Sequence, residues 1–308
     1  MRRDLIQEEK ISNIKTTFEL ELKKKLSLIT VNAPLYVPTD SGLNDNLNGI
    51  EKAVTFHLSG TEYQIVHSLA KWKRWYLGEL HALIGEGILT NMIAIRADEK
   101  ISPIHSNLVD QWDWEKVISK QERTIETLIH YGVNIFNALK KTEEQTALTP
   151  SLPDTLKIIH SEDLLQLYPT SSPKERENKI TKKYGAVFLI GIGGELSNGE
   201  PHDFRAPDYD DWTTLDKTGK PGLNADLLVW DTTRNLALEI SSMGIRVDED
   251  TLKKQLIQLK LEERFTLPFH KKLLNGELPY TIGGGIGQSR VTMFLNKQKN
   301  IKHVQAIY

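Results

Sequence analysis

The residues best suited to a phosphorylated ligand are Gly283-Gly284-Gly285-Ile286-Gly287-Gln288-Ser289-Arg290. Glycines let a backbone approach a ligand closely, and a guanidinium behind them can clamp phosphate. The same string also fits a glycine-rich strand under a packed helix with a surface arginine, and the residues alone leave both readings open. It is neither a P-loop nor a dinucleotide fingerprint, since no G-x-x-x-x-G-K-[ST] and no G-x-G-x-x-G before a helix occur. A second arginine, Arg96, ends the apolar run Ile88–Ile95 and is followed by Ala97, Asp98 and Glu99. Fixed cations of this kind stabilise charge that spreads over phosphate oxygens during attack on phosphorus. Taken alone, the tetrapeptide reads better as a polar hairpin tip.

Carboxylates form the next group. In Asp110-Gln111-Trp112-Asp113-Trp114-Glu115, strand alternation places Gln111 and Asp113 on one face and the tryptophans on the other, which suits a small polar pocket. Asp208, Asp210 and Asp211 cluster in APDYDDW. Asp226 opens an apolar strand and Glu239 lies within another, where an ionised group needs a metal or a cation. Mg²⁺ prefers carboxylate oxygens; the competing reading is a buried ion pair with Arg246. Ser241-Ser242-Met243-Gly244-Ile245-Arg246 could hold the carboxylate of an amino acid. The nine histidines show no metal-ligand spacing, so His67 and His105 are expected to be structural.

These residues need elements to position them. Leu5, Ile11, Ile14, Phe18, Leu22 and Leu26 predict an amphipathic helix over 4–26. A strand at Leu28–Val31 ends before Pro34, and turn formers fill Asp40–Gly49. Further strands are expected at Tyr63–Val66, Ile88–Ile95, Ala186–Gly191, Leu227–Trp230 and Leu236–Ile240, with a long helix over 115–141. Residues 143–155 read as a surface connection. Asp248 caps a helix reaching Leu261, and Tyr280–Gly287 reads as a strand entering a glycine-rich turn before a helix from Gln288. The irregular alternation predicts a mixed α/β (α+β) domain with a largely antiparallel sheet.

The 308 residues, 39% hydrophobic and 26% charged, suffice for one large domain, 1–308. A net charge of −2 gives no basic excess for nucleic acid. No secretory signal and no run of membrane-spanning length is evident, so a cytoplasmic protein is expected. The absence of cysteine excludes disulfides, thiolate zinc sites and a cysteine nucleophile.

Three segments resemble, in order, the motifs of class II aminoacyl-tRNA synthetases: Lys25–Leu35, Arg96 with its acidic followers, and Gly283-x-Gly285-x-Gly287-x-x-Arg290. Ser289 departs from the pattern, which usually has an acid there. Longer strings, DNLNGIEKAV, VHSLAKWKR, SPIHSNLVDQWDWE, RAPDYDDW, GLNADLLVW, SSMGIRVD and ELPYTIGGGIGQSR, resemble the ammonia-dependent aspartate–ammonia ligases over nearly the whole chain. That resemblance implies a homodimer with an antiparallel central sheet flanked by helices and without a tRNA-binding module. It implies that L-aspartate is adenylated by ATP with Mg²⁺, and that free ammonia then displaces AMP, which suits a chain with no cysteine glutaminase. It further implies that Arg96 holds the α-phosphate and that Arg290, with Gly285, Gly287 and Glu239, holds the rest of ATP. Asp226 and Glu239 would carry Mg²⁺; Ser68, Lys73, Gln111, Asp113, Ser242 and Arg246 would fix aspartate; Asp45 and Asp210 would bind ammonium and accept its proton. A tRNA-charging enzyme, a non-catalytic paralogue and adenylation of another acid are the alternatives.

Overall fold

A computed structural model describes residues 4–45, 51–146 and 149–306. Its first helix, α1 (Leu5–Leu26), starts where the Asp4 side chain accepts from the Gln7 N–H, and ends on Ser27 in the left-handed region. Lys23, Lys24 and Lys25 occupy its last turn, the favourable end for cations. Ile11, Ile14, Phe18, Leu22 and Leu26 are buried at the expected period, whereas Leu5 is exposed. The remaining helices are α2 (Ala70–Glu79), α3 (Ile125–Thr146), α4 (Ser161–Leu167), α5 (Pro173–Tyr184), α6 (Glu249–Gln258), α7 (Pro268–Leu274) and α8 (Gln288–Leu295).

In chain order the strands are β1 (Ile29–Thr30), β2 (Tyr36–Pro38), β3 (Thr55–Leu58), β4 (Thr61–Ile65), β5 (Gly87–Ile95), β6 (Leu108–Val117), β7 (Lys157–His160), β8 (Ala186–Ile190), β9 (Asn224–Asp231), β10 (Leu236–Ile245) and β11 (Thr281–Gly287). The main sheet runs β1-β5-β6-β11-β10-β9-β8-β7, and β2-β4-β3 form a small separate one. Pairing from β5 through to β8 is antiparallel, but β1 runs parallel to β5 and β7 parallel to β8. The sheet is therefore mixed, not antiparallel throughout. The small sheet and α2 lie between β1 and β5, and α4 and α5 between β7 and β8, the crossovers that parallel pairing requires.

Other boundaries moved for physical reasons. The helix expected over 115–141 begins only at Ile125, because the alternation of β6 continues through Val117 and a Ser119/Glu122 capping box makes a separate turn. The connection expected at 143–155 starts late: α3 runs to Thr146, and buried Glu143 accepts from the N–H groups of Ser151 and Leu152. Residues 46–49 of the turn-rich loop lie outside the described residues. Gly283–Gly287 is strand, not turn.

The two faces of the sheet differ. Trp112 and Trp114 point to the face covered by α1 and α3, with Phe18 4.7 Å from Trp112 and Tyr131 stacked on Trp114 at 5.6 Å. The opposite face is open over β6, β11 and β10.

Candidate active site

On the open face, strand register sets the floor. Asp113 pairs with Gly285, Gly285 with Ser242, and Ser242 with Asp226, so these four form one row across β6, β11, β10 and β9. Glycine is required in the middle of this floor. A Cβ on Gly285 would come within 2.6 Å of Gln111 Oε1, and one on Gly283 would overlap the Glu115 carboxylate. With no side chains rising from this face of β11, groups from β6 and β10 meet above it, under a cavity of about 350 Å³.

Those groups form an alternating chain of charge. Lys73 Nζ reaches Asp113 Oδ1 at 2.5 Å and lies 3.8 Å from Glu115. Arg246 grips Glu115 with two hydrogen bonds, Nε to Oε1 at 2.9 Å and Nη2 to Oε2 at 2.7 Å, and its Nη1 contacts Asp210 Oδ1. Arg205 Nε lies 3.6 Å from the other Asp210 oxygen, and its Nη2 donates to Asp226 at 2.7 Å. Burial disfavours the charge of Arg246 and Arg205, but Glu115 and Asp210 for the first, and Asp226 and Asp210 for the second, raise both above the ordinary arginine value. The Glu115 carboxyl is buried too, yet Arg246 and Lys73 hold it below its usual range. Each acid of the chain thus faces at least one cation, the condition for burying ions at tolerable cost.

The two arginines expected at phosphates sit at opposite sides. Arg96 lies just past the end of β5, with a weak bond from Nη2 to the His67 carbonyl at 3.4 Å and a buried Nε lacking an acceptor. Arg290, in the first turn of α8, donates to the Glu239 carbonyl at 3.2 Å and lies 3.5 Å from its carboxylate. Asp110 on β6 accepts from the N–H of Ser289 at 3.0 Å, so an acid reaches this helix start from a different strand.

Of the residues singled out in the sequence, Asp45, Ser68, Lys73, Arg96, Gln111, Asp113, Asp210, Glu239, Ser242, Arg246, Gly285, Gly287 and Arg290 line this one cavity. Asp226 is not among its lining residues. It pairs with Arg205 and not with Arg246, contrary to the competing reading. Lys73 is more committed than expected: its ammonium already donates to Asp113 and to the carbonyls of Trp114 and Gly284, three donors for three acceptors. It braces the floor and holds Asp113. Asp210 is also committed, facing an arginine at each oxygen, which suits a bridge better than a proton acceptor. Asp45 is buried beside His67, whose Nδ1 is 3.2 Å from the Asp45 carbonyl. Both histidines are depressed below the ordinary value, chiefly by burial.

Sequence reasoning quoted the strings that hold Arg205, Tyr209 and Glu115 but gave these three no role at the site. Arg205 opens RAPDYDDW, and only matching each buried acid to a cation would have drawn attention to it. For a metal, the expected pair is Asp226 and Glu239, which also face Arg205 and Arg290. Burial raises the Asp226 carboxyl to about 6; Arg205 opposes this and nearby Glu239 adds to it. A cation between the two would relieve that repulsion, so the donor set fits Mg²⁺ with phosphate and water oxygens as remaining ligands. Among the described residues there is no cluster of three or more metal-ligating side chains.

The fold is that of a class II aminoacyl-tRNA synthetase catalytic domain. The asparaginyl-tRNA synthetase from Pyrococcus horikoshii complexed with asparaginyl-adenylate superposes with a TM-score of 0.67 at 13% identity, over 97% of this chain and 68% of that one. An aspartyl-tRNA synthetase from Entamoeba histolytica gives 0.63 at 15% identity, over 97% and 58%. The aspartate–ammonia ligase family model matches residues 5–308. The chain is 53% identical over 304 residues to the aspartate–ammonia ligase of Parabacteroides distasonis and 49% identical to that of Bacteroides fragilis, in each case over 96% of this chain and 88% of the relative. The chain belongs to the aspartate–ammonia ligase family, and its activity is ATP-dependent synthesis of asparagine from aspartate and ammonia.

Proposed function

We propose that the cavity joins ammonia to aspartate through a β-aspartyl-adenylate. The observation that carries this reading is Asp113: Lys73 fixes one carboxylate oxygen, and the other, Oδ2, is buried without a partner in the lining of the cavity. An orphaned buried carboxylate oxygen calls for a donor, and the α-ammonium of an amino acid supplies one. Gln111, Ser68 and Ser242 surround the same row. Arg246 and Arg205, which line the cavity beside their own acids, are the proposed partners of the carboxylates of aspartate.

In the first step the β-carboxylate attacks the α-phosphorus and pyrophosphate leaves. Arg96 stabilises the charge on the α-phosphate, and Arg290, over Gly287, holds the distal phosphates; fixed donors need no reorganisation as charge develops. When bound, Mg²⁺ held by Asp226 and Glu239 would neutralise phosphate charge. In the second step ammonium gives up a proton, with Asp45 as acceptor, and the lone pair attacks the acyl carbon. AMP departs with the bonding pair, and the nitrogen loses a second proton to become the amide.

Ile29 on the edge strand β1, and Leu83 and Ile84 in the connection before β5, are exposed and are the proposed homodimer contact. The use of ATP as substrate supports a cytoplasmic location. Among the described residues no helix is long and apolar enough to cross a membrane.

The test is direct. Purified protein with ATP, Mg²⁺, aspartate and ammonium should yield asparagine and AMP in equal amounts. Formation of ADP and phosphate instead would refute the adenylate.

A further inference from the structure

A second ion cluster lies outside the cavity and has no part in the chemistry above. Asp208 Oδ2 accepts three hydrogen bonds: from Lys71 Nζ at 3.1 Å, Arg264 Nη1 at 3.0 Å and His270 Nε2 at 3.0 Å. The donors come from α2, the short helical turn Glu262–Thr266 and α7. All four side chains are nine-tenths buried or more. Burial raises an acid, but here the three donors together hold the Asp208 carboxyl well below its ordinary range.

The cluster touches both the loop that carries Asp45, the proposed proton acceptor, and the segment that carries Asp210, the bridge between the two site arginines. Asp208 stands two residues before Asp210. His270 spends its Nε2–H on Asp208, which leaves Nδ1 as a bare lone pair, buried and without a partner. Burial, opposed by Asp208 and aided by Lys71 and Arg264, lowers the His270 pKa, so the ring is neutral near pH 7. Its Nδ1 faces Gly42: a Cβ there would stand 3.3 Å from Nδ1 and 3.0 Å from Leu267 Cβ, at a backbone φ of +73°. Gly42 is three residues before Asp45. From the other side, Asn44 Oδ1 accepts from the N–H groups of Asp45 and His67, which leaves that loop little freedom. The phosphate-side residues Arg96, Glu239 and Arg290 belong to elements that give nothing to the cluster.

We infer that His270, braced by Asp208, is a positioning residue for the ammonia half of the reaction, setting the Asp45 loop against the Asp210 segment. This rests on the two-step reading, so the test separates the halves. Aspartate-dependent exchange of labelled pyrophosphate into ATP reports adenylation alone; asparagine formation against ammonium concentration reports the second step. His270→Gln disturbs the contact from one side. Gly42→Ala crowds it from the other and leaves the ion cluster intact, so it serves even if the first variant does not fold. In the folded variants, exchange should stay within about twofold of the parent while KM for ammonium rises about tenfold or more. Parallel loss of both halves, or an unchanged KM for ammonium, would overturn the positioning role. Absence of exchange in the unsubstituted protein would instead overturn the adenylate reading, and this inference with it.

Discussion

Glu115 and Arg246 face each other across a strand that belongs to neither: β11 lies between β6, which carries Glu115, and β10, which Arg246 directly follows, and a side chain on Gly283 would overlap the Glu115 carboxylate. Both groups are almost wholly buried. Gly283→Ala should therefore wedge the pair apart, and Glu115→Gln should strand the guanidinium. Breaking a buried pair from one side costs about 3–5 kcal/mol. Urea denaturation should show that loss for Glu115→Gln and a smaller but definite one for Gly283→Ala. Unchanged midpoints would mean that β11 bulges freely, against the register described above.

Arg290 tests the opposite case, a residue expected to act without bracing the fold. Its bonds to Glu239 are long and partly exposed. Arg290→Ala should lower kcat by about 10²–10³, the usual loss for one donor to developing charge, with little change in melting temperature. Turnover equal to the parent's would remove Arg290 from the ATP site.

Arg205 should do both. Its removal leaves Asp210 and Asp226 without the cation between them and takes a donor from Ser242. Arg205→Met is expected to lower kcat/KM for aspartate about 100-fold, roughly 2.7 kcal/mol, and also to lower the melting temperature. Loss of activity at full stability would make Arg205 purely a ligand contact; loss of stability at full activity would make it purely a strut.

The pH dependence of stability follows from the buried histidines. His67, His105, His160 and His270 are all lowered below 6.5, chiefly by burial. Below pH 6.5 the unfolded chain takes up protons that the folded chain resists, so stability falls as pH falls. Asp226, raised to about 6, works the other way: folded protein binds its proton more readily, and this favours folding as pH falls through 6 toward the unfolded value. Four groups oppose one, so the ligand-free urea midpoint should be lower at pH 5.5 than at 7.5. Each histidine contributes at most about 1.4 kcal/mol per pH unit, and His160→Gln should flatten the slope by one such share. A midpoint that rises on acidification would contradict the sign.

What the sequence revealed was what local periodicity encodes. The buried stripe of α1 and the two-faced pattern from Asp110 to Glu115 were legible because each repeats within a few residues. The glycine run was not: without side chains β11 has no alternation, and only its neighbours β6 and β10 make it a strand. The parallel edges of the sheet depend on partners about 30–60 residues away, which no window contains. The same holds for charge. Asp226 was rightly seen as an odd place for an ion, but its partner is Arg205, 21 residues upstream, and not Arg246. Lys73 could be placed near the site but not assigned, because two of its three acceptors are backbone carbonyls, which carry no sequence signature.

The bare face of β11 has a consequence for anyone who would redirect this enzyme to another acid. The middle of the site offers no side chain to exchange, and adding one there collides with Glu115 or Gln111. Selectivity must be rewritten from the flanks, at Gln111 and Asp113 on one strand and Ser242 on the other. Libraries that randomise 283–287 should yield almost only inactive protein, while new substrate preference should emerge from paired changes across the gap.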